Sequence, residues 1–250
     1  MIQIIIHGCG GKMGRVVAEL AANDDACQIV AGIDPRLPAA DFPVFATPDA
    51  CTVHGDVIID FSTAAAVPAL LAFAKAKKIP VVACTTALSD KTMDLLKETS
   101  KSVAVLKSAN MSVGINLLMD LVQKAAKVLY DANFDIEIVE KHHNQKIDAP
   151  SGTAMALADA INQAMEQQFH YIYDRSQTNE KRDQKEIGIH AVRGGNIVGD
   201  HDVIFAGRDE VIELTHKATS REVFAVGAVK AAKFLASQGP GLYSMKDVLA

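Results

Sequence analysis

The opening of the chain constrains the fold most. A short apolar run, Ile2–His7, enters the turn Gly8-Cys9-Gly10-Gly11-Lys12-Met13-Gly14, and a helical pattern follows over 15–22. An apolar run without clean alternation suits a strand buried on both faces, and such strands belong to parallel sheets covered by helices. Glycines at the turn allow a tight reversal and let backbone approach a pyrophosphate. The helix start behind them offers free N–H groups and the positive end of a dipole. The spacing is not the plain GxGxxG: Met13 stands where a third glycine would, and Gly14 follows. By itself the turn also fits a strand–helix connection without a ligand. Asp34 adds to the nucleotide reading. It ends the next strand, 28–33, about 20 residues on, where dinucleotide folds place the acid that binds the adenosine ribose. A carboxylate there repels a 2′-phosphate, so NADH is expected as the preferred cofactor, with NADPH possible because Arg36 can reach such a phosphate.

Strand and helix patterns keep alternating: strands at 57–61, 79–84 and 103–106, and helices at 64–78 and from Ser89 to about 100. Repeated β-α units with short links predict a doubly wound parallel sheet. Ligands of such sheets sit beyond the carboxyl ends of the strands. Asp60-Phe61-Ser62-Thr63, Cys84-Thr85-Thr86 and Ser108-Ala109-Asn110-Met111 fall at those ends. They are candidates to position ribose and nicotinamide, although helix caps and turns use the same residue types. Beyond Ser112 the character changes. A long helix is predicted over 113–129 and a half-buried alternating strand over 134–139. A helix at 151–168 and a polar, mobile loop at 173–185 follow. Three further alternating strands, 187–193, 200–206 and 211–216, suit a mixed or antiparallel sheet. An Ala-rich helix covers 222–237, and pattern alone does not say which sheet it joins.

Composition narrows the function classes. With 49% hydrophobic and 22% charged residues and a net charge of −5, the chain has a globular composition and lacks the basic surplus of a nucleic-acid binder. Cys9, Cys27, Cys51 and Cys84 form no CxxC pair and read as core residues. No basic leader opens the chain, and no apolar run is long enough for a membrane helix. No membrane partner and a cytoplasmic location are the expectation.

The most informative stretch is Glu140-Lys141-His142-His143-Asn144-Gln145-Lys146-Ile147-Asp148-Ala149-Pro150-Ser151-Gly152-Thr153-Ala154. Imidazole and ammonium groups bind carboxylates and donate protons when their pKa is tuned. Ser151-Gly152-Thr153 opens a helix, where hydroxyls and bare N–H groups make an anion site. A metal site is a weaker reading, because adjacent side chains on an extended segment point apart and no third ligand stands nearby. A solvated loop with an ordinary cap is the other competitor. Arg193, His201, His216, Lys217 and Arg221 are further basic residues, and surface is the usual fate of such groups.

This stretch resembles the hallmark segment of the 4-hydroxy-tetrahydrodipicolinate reductases, also called dihydrodipicolinate reductases. The similarity extends to Gly8–Gly14, Asp60-Phe61-Ser62, Thr85-Thr86, Ala109-Asn110, residues 193–201, 213–218 and Ser220-Arg221. The resemblance implies an oxidoreductase that reduces 4-hydroxy-tetrahydrodipicolinate to tetrahydrodipicolinate with a nicotinamide cofactor, in lysine and diaminopimelate biosynthesis. It implies that His142 is an acid/base residue and Lys146 a proton donor. His143, Gly152 and Thr153, with Ser151 beside them, would hold substrate carboxylates. Cofactor contacts would come from Gly8, Cys9, Gly10, Gly11, Lys12, Met13, Asp34, Cys84, Thr85, Thr86, Ser108, Ala109, Asn110, Met111, Arg221 and Phe224. The last helix would return to the first domain. The expected architecture is therefore α/β, with an N-terminal doubly wound Rossmann-type domain of residues 1–112 and 221–250. A second α/β domain, 113–220, would carry a mixed sheet that binds substrate and builds a homotetramer. The family commonly has glycine where this chain has Cys84 and Ala87, and an aromatic residue at Met111. A dehydrogenase for another small acid, or a non-catalytic nucleotide-binding module, are the rival readings.

Overall fold

A computed structural model describes residues 1–108, 110–177 and 179–250, the side chain of Gln177 excepted. It divides into two compact units, Met1–Val113 with Glu222–Ala250, and Gly114–Arg221.

Among the described residues the first unit holds a seven-stranded sheet. Its strands are β1 (Ile2–His7), β2 (Cys27–Ile33), β3 (Val44–Phe45), β4 (Val57–Asp60), β5 (Val81–Ala83), β6 (Ala104–Lys107) and β12 (Gly241–Tyr243). The spatial order is β12-β6-β5-β4-β1-β2-β3, and every pairing is parallel. The isoleucine run of β1 shows why alternation is missing from its sequence. Ile4 and Ile6 enter the core on one face, and Ile5 enters the core on the other. The first core is closed by α1 (Lys12–Ala22) and α6 (Glu222–Leu235), the second by α2 (Val67–Lys77) and α3 (Asp90–Ser100). Ser89 caps α3, its Oγ accepting from Thr92 N at 3.3 Å. The last helix packs in this first unit.

The second unit carries a five-stranded sheet in the order β11-β10-β7-β9-β8. Its strands are β7 (Asp135–His142), β8 (His170–Ile172), β9 (Glu186–Arg193), β10 (Gly199–Ala206) and β11 (Val211–Ala218). β7, β10 and β11 pair antiparallel, whereas β7, β9 and β8 pair parallel, so the sheet is mixed. Helices α4 (Val113–Leu129) and α5 (Gly152–Ala164) cover one face through Leu118, Val122, Leu157 and Ile161.

Several boundaries differ from the sequence reading. α1 starts at Lys12, so Lys12 and Met13 belong to the helix and not to the turn. α5 stops four residues short of 168. Glu166 and Gln167 take φ of 58° and 62°, and the Asn162 side chain holds Phe169 O and N at 3.0 Å each. The short strands β3, β8 and β12 and the helix α7 (Met245–Leu249) carry too few residues to show a period. Within 173–185 a 3₁₀ turn spans Arg175–Gln177, and Arg182 anchors its own end of the segment. The Arg182 guanidinium donates to Glu137 Oε1 (2.9 Å), Asp135 Oδ1 (2.8 Å), Ile136 O (2.9 Å) and Glu186 O (2.7 Å). Charges that read as solvated in sequence are paired here across some 45 residues of chain. None of the helices built from the described residues is long and apolar enough to cross a membrane.

Candidate active site

The candidate residues gather at the carboxyl ends of several strands in the first unit and at the end of β7 in the second. In the first, β1 meets the turn at Gly8, whose φ of +84° belongs to glycine, and a Cβ there would lie 2.6 Å from Phe61 O. Gly14 packs so closely on Gly8 O that a Cβ has no room. Gly11 is the N-cap of α1 and supplies no side-chain acceptor, so the helix start keeps amide donors for a ligand. Asp34 is buried. It accepts from Gly10 N, and from Arg36 N, Nε and Nη2, all at 3.0 Å. The Arg36 guanidinium, helped by the two amides, outweighs the cost of burial and holds this carboxyl down at about 2. Gly8, Gly11, Asp34, Arg36, Phe61 and Ser62 border one cavity of about 370 Å³. Cavity, bare helix start and ionised acid together fit a dinucleotide.

The remaining candidates of this unit divide by what they expose. Cys9 and Cys84 are buried, and burial pushes both thiols up, so their side chains serve as apolar filler. Met111 is in the core, with its carbonyl against Gly227, and Phe224 packs on the same cluster. Thr85 is buried, Thr86 and Lys12 are exposed, and Met13 is half-buried. Lys107 Nζ donates to Ala83 O (3.3 Å) and Thr85 O (2.7 Å), fastening β6 to the end of β5. Ser108 is half-buried, Asn110 Oδ1 accepts from Ser112 N at 2.8 Å, and Ala109 lies outside the described residues. Ala87 has φ of +55°, a left-handed conformation that suits glycine better than alanine. One pair escaped the sequence reading: His7 Nδ1 lies 2.8 Å from Asp60 Oδ1, which also accepts from Ser62 Oγ at 2.6 Å.

In the second unit the burial of β7 alternates to its end, so Ile136, Ile138, Glu140 and His142 share the covered face. Glu140 is fully buried and accepts four hydrogen bonds among the described residues. Arg193 Nη1 and Nη2 reach its two oxygens at 2.7 Å each, His142 Nδ1 reaches Oε2 at 2.6 Å, and Ser151 N reaches Oε1 at 2.9 Å. Burial works to raise the Glu140 carboxyl, but the Arg193 fork, His142 and the Ser151 amide outweigh it and leave it below the usual range. For His142, burial is the largest influence and lowers its pKa, with Glu140 pulling in the opposite direction. Ser151 caps α5, its Oγ accepting from Ala154 N at 3.1 Å and lying 3.1 Å from His201 Nε2. A Cβ built on Gly152 meets nothing within 4 Å, so the helix start is open on that side. Lys146 Nζ pairs with Asp148 Oδ1 at 2.8 Å, and Arg221 Nη2 donates to His143 Nε2 at 3.2 Å. His142, His143, Lys146, Ser151, Gly152 and Thr153 therefore stand at one end of one strand, and Arg221 stands with them. Sequence reasoning left Arg193 and His201 among the surface alternatives and gave Glu140 no role. The available signal was the period of two, which continues through Glu140 to His142.

Sequence profiles match nearly the whole chain. "Dihydrodipicolinate reductase, N-terminus" covers residues 2–111, and "Dihydrodipicolinate reductase, C-terminus" covers 114–249. The chain belongs to the dihydrodipicolinate reductase family. It is 55% identical over 249 residues to the 4-hydroxy-tetrahydrodipicolinate reductase of Caldanaerobacter subterraneus subsp. tengcongensis, spanning 100% of this chain and 98% of that one. It is 51% identical over 250 residues to that of Clostridium botulinum, with the same coverage. Among solved structures, a dipicolinate-bound dihydrodipicolinate reductase from Paenisporosarcina sp. TG-14 superposes with a TM-score of 0.79. It shares 26% identity over 98% of this chain and 97% of that chain. A probable dehydrogenase from Thermotoga maritima, 12% identical with a TM-score of 0.66, shares the fold over 99% of this chain and 92% of its own. The family's reaction, nicotinamide-dependent reduction of 4-hydroxy-tetrahydrodipicolinate to tetrahydrodipicolinate, is the function of this chain, an oxidoreductase of amino-acid biosynthesis.

Proposed function

We propose that the β7–α5 connection is where the substrate is held and receives its proton. The observation that carries this reading is the Glu140 carboxylate, which holds the His142 ring and the Ser151 amide at once. The start of α5 at Ser151, Gly152 and Thr153 receives one substrate carboxylate through backbone N–H groups and the helix dipole. His143, beside Arg221, receives the other. A bound reduced nicotinamide supplies the hydride. One proton must enter with it, and one water leaves. Lys146, an ammonium held by Asp148, carries that proton. His142, neutral near pH 7 because burial depresses it, exchanges protons at Nε2. Lys146→Ala and His142→Gln are each expected to cut kcat by about 10²–10⁴-fold while the KM for nicotinamide stays within a few-fold. Normal turnover of both, followed by nicotinamide absorbance, overturns the assignment.

Residues 1–112 with 221–250, the first unit but for the boundary residues Val113 and Arg221, are the dinucleotide domain in this reading. Gly8–Met13 take the pyrophosphate and Asp34 the adenosine ribose. The ends of β5 and β6, from Cys84 to Thr86 and from Ser108 to Met111, position the nicotinamide ribose, and the family resemblance adds Arg221 and Phe224 as cofactor contacts. An ionised Asp34 favours NADH over NADPH, and release of Arg36 from Asp34 makes NADPH possible. The ratio of kcat/KM for the two cofactors tests this, and a clear NADPH preference contradicts it. Residues 113–220 form the substrate and oligomerisation domain. Val192, Val211 and Ile212 leave apolar surface exposed on β9 and the edge strand β11, which supports a homotetramer built through this sheet. Light scattering on the purified protein tests it. The place of work is the cytoplasm, alongside the soluble cofactor pool.

A further inference from the structure

We propose that Glu140, clamped by Arg193, is a positioning residue with two tasks: it fixes His142 with a proton on Nδ1, and it locks the start of α5 to the same carboxylate. The inference rests on the substrate-site reading above and deepens it.

Glu140 is fully buried, and its pairing with Arg193 keeps it ionised. An ionised carboxylate only accepts. Nδ1 of His142, 2.6 Å from Oε2, must therefore donate, and the lone pair of the neutral ring is left on Nε2. That nitrogen faces bare backbone. A methyl at Gly199 would lie 3.0 Å from it, closer than such contacts normally come, so the glycine leaves room beside Nε2 that a side chain would fill. The other carboxylate oxygen holds Ser151 N, and Arg193 Nη2 also donates to Asp148 O at 2.6 Å. One buried ion pair thus joins the His142 ring, the connecting segment and the helix N-terminus. The ring also meets His201 of β10 edge-on, with centroids 5.2 Å apart. Lys146, partnered by Asp148, and Arg193 of β9 are the charged groups facing His142 besides Glu140. Among the leading influences on the ring, both cations disfavour its protonation and Glu140 favours it. Carboxylates that orient metal-bound imidazoles commonly matter about 10–100-fold in activity, and the same order is expected for this ring.

The test is ¹⁵N NMR of the full-length protein labelled in its histidine rings, with the His142→Gln spectrum as the assignment control. At pH 8 the wild-type ring is expected to show a protonated Nδ1 and an unprotonated Nε2. In Glu140→Gln the carboxamide N–H₂ faces the ring, Nδ1 becomes the acceptor, and the two signals exchange character. With it, kcat falls about 10–100-fold, the KM for nicotinamide holds, and the kcat limb due to His142 moves to lower pH. Glu140→Asp, which keeps the charge, retains the wild-type tautomer and recovers part of kcat. A wild-type ring protonated at Nε2 overturns the proposal whether or not the variant folds. So does a folded Glu140→Gln protein with unchanged tautomer and pH profile. A wild-type Nδ1–H ring in a protein whose Lys146→Ala and His142→Gln variants turn over normally sinks the substrate-site reading and leaves the positioning role standing.

Discussion

The two candidate strand ends are built by opposite means. At β1–α1 the space comes from side chains that are missing: Gly8, Gly11 and Gly14 let backbone approach backbone, and the main charge is one exposed Arg36 on Asp34. At β7–α5 the order comes from charges that are present and buried, Glu140 with Arg193, His142 and Ser151. The first design is intolerant of volume and indifferent to pH across the working range. The second is intolerant of lost charge and responds to acid. A glycine turn needs only neighbours along the chain and one crossing strand. A buried carboxylate needs a donor from 53 residues away.

The contrast can be broken from either side. The largest effect is expected for Arg193→Met, which strands the Glu140 charge in the interior. Loss of one partner of a buried pair costs about 3–5 kcal/mol, read as a lowered midpoint in urea unfolding. A midpoint within experimental error of wild type would mean that the pair is hydrated.

Acid comes next. His201 is buried, and burial first, then the neighbouring His142, lowers its pKa to about 4. Its folded value lies below the unfolded value, so the unfolded chain binds the extra proton first. The stability it contributes is whole above pH 6.5 and is lost as pH falls through about 4, on the order of 3 kcal/mol for a shift of this size. Thermal unfolding between pH 7 and 4 should show this loss, and His201→Gln should flatten the curve. Asp34, held at about 2 by Arg36, stays ionised over the same range. The affinity for NADH measured by fluorescence is therefore expected to stay level while Tm falls.

Gly8→Ala tests the other design. Its φ of +84° and the 2.6 Å approach to Phe61 O make a methyl costly by about 2 kcal/mol. NADH binding should weaken, and the His142 ring signals should not change. The smallest effect belongs to Ala87→Gly. At φ of +55° glycine relieves a left-handed alanine, for a gain of about 1 kcal/mol in Tm or denaturant measurements.

Much of the architecture follows from local chemistry. The run at Ile2–His7, the glycines after it and Asp34 specify a buried parallel strand, a tight turn and an acid at the next strand end, because each acts within its own turn of chain. The alternation at 134–139 likewise announces a strand with one covered face. The short strands β3, β8 and β12 left no trace, since two or three residues carry no period and pairing alone makes them strands. The polar stretch 173–185 read as a mobile loop, and sequence cannot show that Arg182 within it finds Asp135 and Glu137.

The same division runs through the site. Residue types and spacing were enough to mark the His/Lys cluster at 142–146 and the helix start at Ser151-Gly152-Thr153, since both are local properties, while the separate roles of His142 and Lys146 came from the family resemblance. Which nitrogen of His142 holds its proton, and why Ser151 stays beside it, were decided only when β9 brought Arg193 to Glu140. A buried charge has no meaning until the fold supplies its partner, and the fold draws that partner from a distant strand.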